Sequence, residues 1–288
     1  MRNIECDVSI KEFTTIKVGG IARWFIDVSS IEDIRYALCF AKNKNINYFI
    51  IGNGSNLLIN DGYFDGLVIR INNKFNDINF GVNVVEVESG CLLSTFINKC
   101  RELSFSCIEK LYGIPGTIGG SVYGNAGVKD LSIGDKIISV KVLEDGIIKE
   151  YSKEECDFGY RDSIFKRKNC VILSAKLRID AVNKSIIDYC IRDTLKYRKE
   201  KQPIGQCTCG CVFKNVNDIS AWKYVKLVEN SVFESEKAFI SDKHASFIVN
   251  GDNASFKDVY NLIESIKNSV YYIYNIKLSN EVGVIDWR

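Results

Sequence analysis

Two short glycine-rich runs constrain this chain more than any other feature. They are Gly52-Asn53-Gly54-Ser55-Asn56 and, about sixty residues later, Gly113-Ile114-Pro115-Gly116-Thr117-Ile118-Gly119-Gly120. Glycine reaches positive φ without strain and lets a ligand approach the backbone, so successive N–H groups can converge on a phosphate. The first run directly follows the apolar strand pattern Tyr48-Phe49-Ile50-Ile51, where a pyrophosphate cradle would be built. The GxGxxG spacing of a dinucleotide fold is absent, no helical pattern follows at once, and there is no Walker lysine. Taken alone, the first run reads as a tight structural turn. The pairing of two such runs in one domain turns the balance toward ligand binding. Pro115 stiffens the second run and leaves fewer states to be ordered on binding.

The surrounding pattern is α+β. Ser30-Ile31-Glu32-Asp33 reads as a capping box opening an amphipathic helix to about Asn43, with Ile31, Ile34, Leu38 and Ala41 on its apolar face. Strands are expected over 66–71, 84–88 and 170–179, and a helix over 92–103 with Leu93, Phe96, Ile97 and Cys100 inward. Residues 137–143 and 147–151 flank Glu144-Asp145-Gly146, a β-hairpin signal. Beyond Ala181 a helix over 185–199 carries Ile187, Ile191 and Leu195 inward and ends at Lys201-Gln202-Pro203. A helical stretch from Ser220, a strand over 245–250 and a helix opened by Ser255-Phe256-Lys257-Asp258 complete the chain. The change of character near 182 divides it into an N-terminal domain, 1–182, built in two parts, and a smaller domain, 183–288.

Composition narrows the function classes. The 288 residues exceed a comfortable single core and suit two domains. With 38 basic against 36 acidic residues the net charge is +2, which leaves no electrostatic footprint for nucleic acid or an anionic membrane. No stretch approaches the roughly 18 apolar residues of a membrane span. The start Met1-Arg2-Asn3-Ile4-Glu5-Cys6-Asp7 has no apolar signal core, so a cytoplasmic protein is expected, read as a monomer. The 11 cysteines are scattered and odd in number, which argues for reduced, mostly buried thiols rather than a disulfide framework.

Three further motifs carry possible chemistry. Tyr160-Arg161-Asp162-Ser163 offers a guanidinium fork suited to carboxylates or phosphates, or simply a solvated surface arginine. In an extended Cys207-Thr208-Cys209-Gly210-Cys211 the three thiols would share one face. Metal binding is disfavoured there, because zinc sites space cysteines more widely and the only histidine, His244, lies far along the chain. A single thiol can instead act as a general acid, or be an inert buried cysteine. In Leu278-Ser279-Asn280-Glu281-Val282 a carboxyl between apolar neighbours can serve proton transfer if its pKa is raised, or be a plain surface glutamate.

The order of these motifs resembles the UDP-N-acetylenolpyruvoylglucosamine reductases over nearly the whole chain. The likeness runs through Thr14-Thr15-Ile16-Lys17-Val18-Gly19-Gly20, the run from Gly52 through Asn56 to Leu58, and the run from Gly113 through Gly120 to Asn125-Ala126-Gly127. Tyr160-Arg161-Asp162-Ser163, Lys201-Gln202-Pro203, Gly210-Cys211-Val212-Phe213-Lys214-Asn215, the segment from Lys243 to Asn250, and Glu281-Val282 continue it. The resemblance implies a two-part FAD-binding domain of the vanillyl-alcohol-oxidase type and a C-terminal domain that binds a nucleotide-sugar. It implies FAD as bound cofactor, held by the two glycine runs and by Asn125, Ala126 and Gly127, with NADPH as hydride donor. Hydride passes to C3 of an enolpyruvyl ether, an arginine and a glutamate stabilise charge at C2 and the carboxylate, and a hydroxyl protonates C2. The matching positions are Arg161, Glu281 and Cys211, and Tyr160, Lys201 and Asn215 match contacts to the sugar nucleotide. The short passage from Ser163 to Cys170 matches the subtype without a long inserted loop.

The chain departs from that pattern at identifiable places. Cys211 stands where serine is usual; a thiol is the more acidic donor and the more easily oxidised one. Ser231 takes the place of an expected lysine, and Glu236 and Lys237 replace a glycine pair. Val128-Lys129-Asp130 follow Gly127 where small or aromatic residues are usual. Two other readings remain beside the reductase: a FAD-dependent paralogue acting on another substrate, and a redox sensor built on Cys207, Cys209 and Cys211.

Overall fold

The computed structural model describes residues 3–217, 219–232 and 237–287. The chain divides into two compact units. The first contains residues 25–53 and 66–197; the second contains 5–24, 54–65 and the described part of 198–287.

In the first unit, helix α1 (Ile31–Lys44) opens at Ser30, whose hydroxyl accepts from the Asp33 N–H at 3.1 Å. It closes at Asn45 in the left-handed region (φ 51°). Ile34, Ala37 and Ala41 form its buried stripe. The chain then enters the strand Tyr48–Ile51, which pairs in parallel with Tyr63–Ile71, Tyr48 opposite Leu67 and Ile51 opposite Arg70. A five-stranded antiparallel sheet follows, in the spatial order Ile147–Ser152, Ile137–Glu144, Val171–Arg178, Val84–Glu88, Ile78–Gly81. The expected hairpin is present as a two-residue loop, with Asp145 (φ 51°) and Gly146 (φ 77°) both left-handed. That backbone matches the right-handed strand twist. Helices α2 (Leu93–Glu102), α3 (Ile118–Tyr123) and α4 (Ile133–Lys136) complete the layer. Phe96, Ile97, Ile118, Val122 and Ile133 pack with Val85, Val87, Val140 and Ala175 of the sheet in one core.

Helix α5 (Lys184–Lys201) carries the chain from one unit into the other. The compact units therefore do not coincide with a cut at 182. Ile187 and Ile191 of α5 belong to the first core, whereas Ile16, Val18 and Leu58, from the N-terminal third of the sequence, belong to the second. Packing of apolar side chains, not nearness in sequence, decides membership.

The second unit is a three-stranded antiparallel sheet with His244–Asn250 at its centre between Cys207–Cys211 and Ala238–Ser241. Two helices share a core with it, α6 (Ala221–Val228) and α7 (Phe256–Tyr274). The box at Ser255 is complete: its hydroxyl accepts from the Asp258 N–H at 3.1 Å, and the Asp258 carboxylate accepts from the Ser255 N–H at 2.9 Å. The segment 14–20 is stitched onto this sheet. Thr15 Oγ1 donates to the Thr208 carbonyl at 2.6 Å, and Asn250 Nδ2 donates to the Ile16 carbonyl at 2.8 Å. A parallel pair, Leu57–Ile59 with Gly283–Ile285, joins the first glycine run to the C-terminal segment. No helix among the described residues is long and apolar enough to cross a membrane.

Candidate active site

The two glycine runs meet in space. A Cβ on Gly52 would lie 2.8 Å from Thr117 Oγ1, so glycine at 52 is what lets the first run close on the second. Thr117 caps α3 by accepting from the Gly120 N–H at 3.2 Å. Gly113 (φ 83°) holds the left-handed backbone that the second run requires before Pro115. The N–H groups there do not all face outward: Ile118 donates to the Cys91 carbonyl and Gly119 to the Ser89 carbonyl, both at 2.8 Å. Gly119, expected to cradle a ligand, is thus spent on packing, and a Cβ there would lie 2.8 Å from Ser89 Cβ. Gly120 differs, since a Cβ there would meet only Thr117 Oγ1 at 3.6 Å. Open space rather than internal crowding surrounds it. In the first run, Gly54 (φ 59°) is pressed on the Phe13 carbonyl, which a Cβ would approach to 2.0 Å.

Asn125-Ala126-Gly127 holds the arginine loop. Asn125 is buried and left-handed (φ 43°). Its Oδ1 accepts from the Gly134 N–H at 3.0 Å, and its Nδ2 donates to the Gly159 carbonyl at 2.8 Å. Its side-chain amide is therefore engaged within the protein, and a contact with a cofactor would fall to its backbone. Gly159 and Asp162 exchange backbone hydrogen bonds at 3.0 and 3.2 Å across Tyr160-Arg161. Arg161 itself is left-handed (φ 55°), its Nη2 donates to the Gly127 carbonyl at 2.7 Å, and its guanidinium lies 5.3 Å from the Tyr160 ring centre. A non-glycine residue in that backbone region persists only where its surroundings over-determine it. Ser163 supplies part of that, its fully buried hydroxyl donating to the Tyr123 carbonyl at 2.7 Å. Burial opposes the charge of Asp162, yet the Arg167 guanidinium, 2.5 Å away, holds its carboxyl below the usual range.

In the second unit the structure brings Cys211, Glu281 and the end of the first glycine run together. Cys211 ends its strand opposite Phe247. The Val212 carbonyl accepts from the Glu281 N–H at 2.7 Å, Lys214 N–H donates to the Ser279 carbonyl at 2.9 Å, and Phe213 bridges Asn280. Asn56 locks the same place: its Nδ2 donates to the Glu281 carbonyl at 3.2 Å, and its carbonyl accepts from the Gly283 N–H at 2.9 Å. The three thiols do not share a face. Gly210 (φ 79°) and a register shift between Thr208 and Cys211 break the alternation. Cys209 is fully buried, which pushes its thiol up to about 12, while Cys207 and Cys211 are half-exposed. Asn215 Oδ1 accepts from the Ala221 N–H at 3.1 Å and fixes the start of α6; Lys201 is exposed at the end of α5. Ser231 lies exposed in a short 3-10 turn. Glu236, within 233–236, is outside the described residues.

Sequence reasoning did not find the holding role of Asn125 or the stitching of Thr15 and Asn250. An asparagine directly before Ala-Gly, a residue type tolerant of positive φ, was the available signal for the first.

Comparisons with known proteins point to one family. A family model described as UDP-N-acetylenolpyruvoylglucosamine reductase, C-terminal domain, matches residues 202–285, and one described as FAD binding domain matches residues 22–150. A UDP-N-acetylenolpyruvoylglucosamine reductase of Clostridium novyi is 36% identical over 286 residues, covering 98% of this chain and 92% of the relative. The reductase of Prochlorococcus marinus is 34% identical over 283 residues, covering 97% of each. The crystal structure of the Thermus caldophilus reductase superposes with a TM-score of 0.84 at 30% identity, covering 99% of this chain and all of that one. The likeness runs through the FAD-binding match at 22–150 and the C-terminal match at 202–285 and covers nearly the whole length: the chain belongs to the UDP-N-acetylenolpyruvoylglucosamine reductase family.

Proposed function

We propose that this chain catalyses the NADPH-dependent, FAD-mediated reduction of UDP-N-acetylglucosamine enolpyruvate to UDP-N-acetylmuramate, a step in making peptidoglycan precursors. The observation that supports the reading is the hydrogen bond from Glu281 N–H to the Val212 carbonyl, which holds the backbone of Glu281 against the residue that follows Cys211. The residues present fit FAD: the glycine runs converge at Gly52 and Thr117, and Gly120 leaves open space that packing does not demand. Gly52, Asn53, Gly54, Ser55 and Asn56, with Gly113, Ile114, Pro115, Gly116, Thr117 and Gly120, would hold it, Ala126 and Gly127 supporting them. When bound, FAD would supply the hydride chemistry that links NADPH to the enolpyruvyl C3.

The chain's own residues do the rest. Cys211 gives a proton to C2 from its thiol. Arg161, on its strained backbone, and Glu281 steady the charge that develops at C2 and the carboxylate; fixed groups aimed at developing charge act strongly in a site poor in water. Tyr160, Lys201 and Asn215 contact the nucleotide-sugar, and the substrate-binding part comprises 183–288. The protein acts as a cytoplasmic monomer, engaging neither nucleic acid nor membrane. The test is anaerobic: the purified yellow protein is bleached with NADPH and then mixed with UDP-N-acetylglucosamine enolpyruvate. Rapid return of the oxidised spectrum is expected. A flavin that stays reduced would leave the family intact and sink the substrate.

A further inference from the structure

We propose that Trp222 is the platform on which the base of the nucleotide-sugar stacks, and hence a residue that sets nucleotide affinity. The inference rests on the substrate class proposed above. Trp222 is the second residue of α6, whose Ala221, Val225 and Val228 are buried at helical spacing, so the indole projects from the flank of that stripe, about 100° round the helix, with 40% of the residue in solvent. Its position is not left to chance. The Asn215 side chain accepts from the Ala221 N–H at 3.1 Å and pins the helix start. The His244 ring packs against the indole at 6.3 Å between centres and 62°, an inclined contact that does not cover it with a parallel ring.

His244 is itself fixed. Its Nδ1 accepts from the Ser246 N–H at 3.2 Å, and Phe247 meets its ring at 5.1 Å and 72°. Phe247 is the register partner of Cys211. A continuous chain of contacts thus leads from the reacting thiol's strand through Phe247 and His244 to the indole. Lys223, also exposed, is the next residue of the helix and turns about 100° further round it, so the same helix start presents an indole and a cation to solvent. Those are the two demands of a nucleoside diphosphate, a π-face for the base and a cation for the phosphates.

The experiment uses the FAD-loaded enzyme and titrates UDP by calorimetry, with inorganic pyrophosphate as the probe lacking a base. Trp222→Ala is expected to weaken UDP between about fivefold and a hundredfold, the range of one base–aromatic stack, and to leave pyrophosphate unchanged. Trp222→Phe should keep UDP within about threefold, since a ring remains. In turnover the Ala variant should raise KM for the enolpyruvyl substrate by the same factor, with kcat and flavin reduction by NADPH unaltered. UDP binding by Trp222→Ala within twofold of the parent overturns the proposal alone. So does an unchanged UDP affinity accompanied by loss of a dimer, which would give the indole to a second copy. A parent enzyme that NADPH reduces but that binds no UDP overturns the substrate reading, and this proposal with it.

Discussion

Replacing Asn125 with alanine separates a cofactor contact from a loop holder. The side chain satisfies the buried Gly134 N–H at 3.0 Å and the Gly159 carbonyl at 2.8 Å. Leaving the Gly134 donor buried and unpaired costs about 1–3 kcal/mol. Gly159 is exposed, so its carbonyl recovers water and adds about 0.5 kcal/mol. Alanine must also occupy φ 43°, a left-handed conformation costing it about 1 kcal/mol. The sum is about 2.5–4.5 kcal/mol, and at roughly 2–4 °C per kcal/mol for a chain of this size the melting temperature should fall by about 5–18 °C. Scanning calorimetry of FAD-free protein is the assay, because a holding role is present without cofactor. Asn125→Gly should recover about 1 kcal/mol of the loss by relieving φ. Because the Gly159–Asp162 exchange carries Arg161, kcat should fall by up to about 100-fold while flavin reduction by NADPH persists. A shift below about 2 °C in the FAD-free protein, with a loss only in the loaded enzyme, would refute the reasoning.

Cys211→Ser should keep reductase activity, whereas Cys211→Ala should lose about 100-fold or more in reoxidation by substrate; equal rates in stopped flow would remove Cys211 as the acid. Gly54→Ala should lose several kcal/mol, on the order of 3 or more, because a Cβ would lie 2.0 Å from the Phe13 carbonyl at φ 59°; an unchanged urea midpoint would contradict that. Burial lowers the pKa of His244, so the unfolded chain binds the extra proton first. Stability tied to this group is present above about pH 6.5, the unfolded value, and is lost as pH falls toward the lowered folded value. His244→Gln should flatten that acid-side decline in chemical denaturation measured between about pH 7 and 5; an identical slope would count against it.

Much of the local structure was legible. The N-cap at Ser30, the box at Ser255, the hairpin at Asp145-Gly146 and the apolar stripe of α2 are signals written within a few residues, and each appears where the spacing put it. The family was equally legible in the order of the motifs, and a relative named as a reductase is 36% identical over 286 residues. The alternation argument for three cysteines failed because it assumed a regular strand, and one left-handed glycine at 210 removed that assumption.

What the amino-acid sequence determined by itself was therefore the set of elements, the family and the residue types available for chemistry, because capping, periodicity and turn preference act over one or two turns of chain. What only the tertiary structure decided was the company those residues keep. Residues 5–24 and 54–65 join the C-terminal sheet, Glu281 is laced to Val212, and Asn125 spends its amide on Gly134 and Gly159. Each of these depends on burial of apolar surface and on satisfying buried polar groups across long sequence separations. Such contacts exist only once the chain has packed, and leave no local pattern to read.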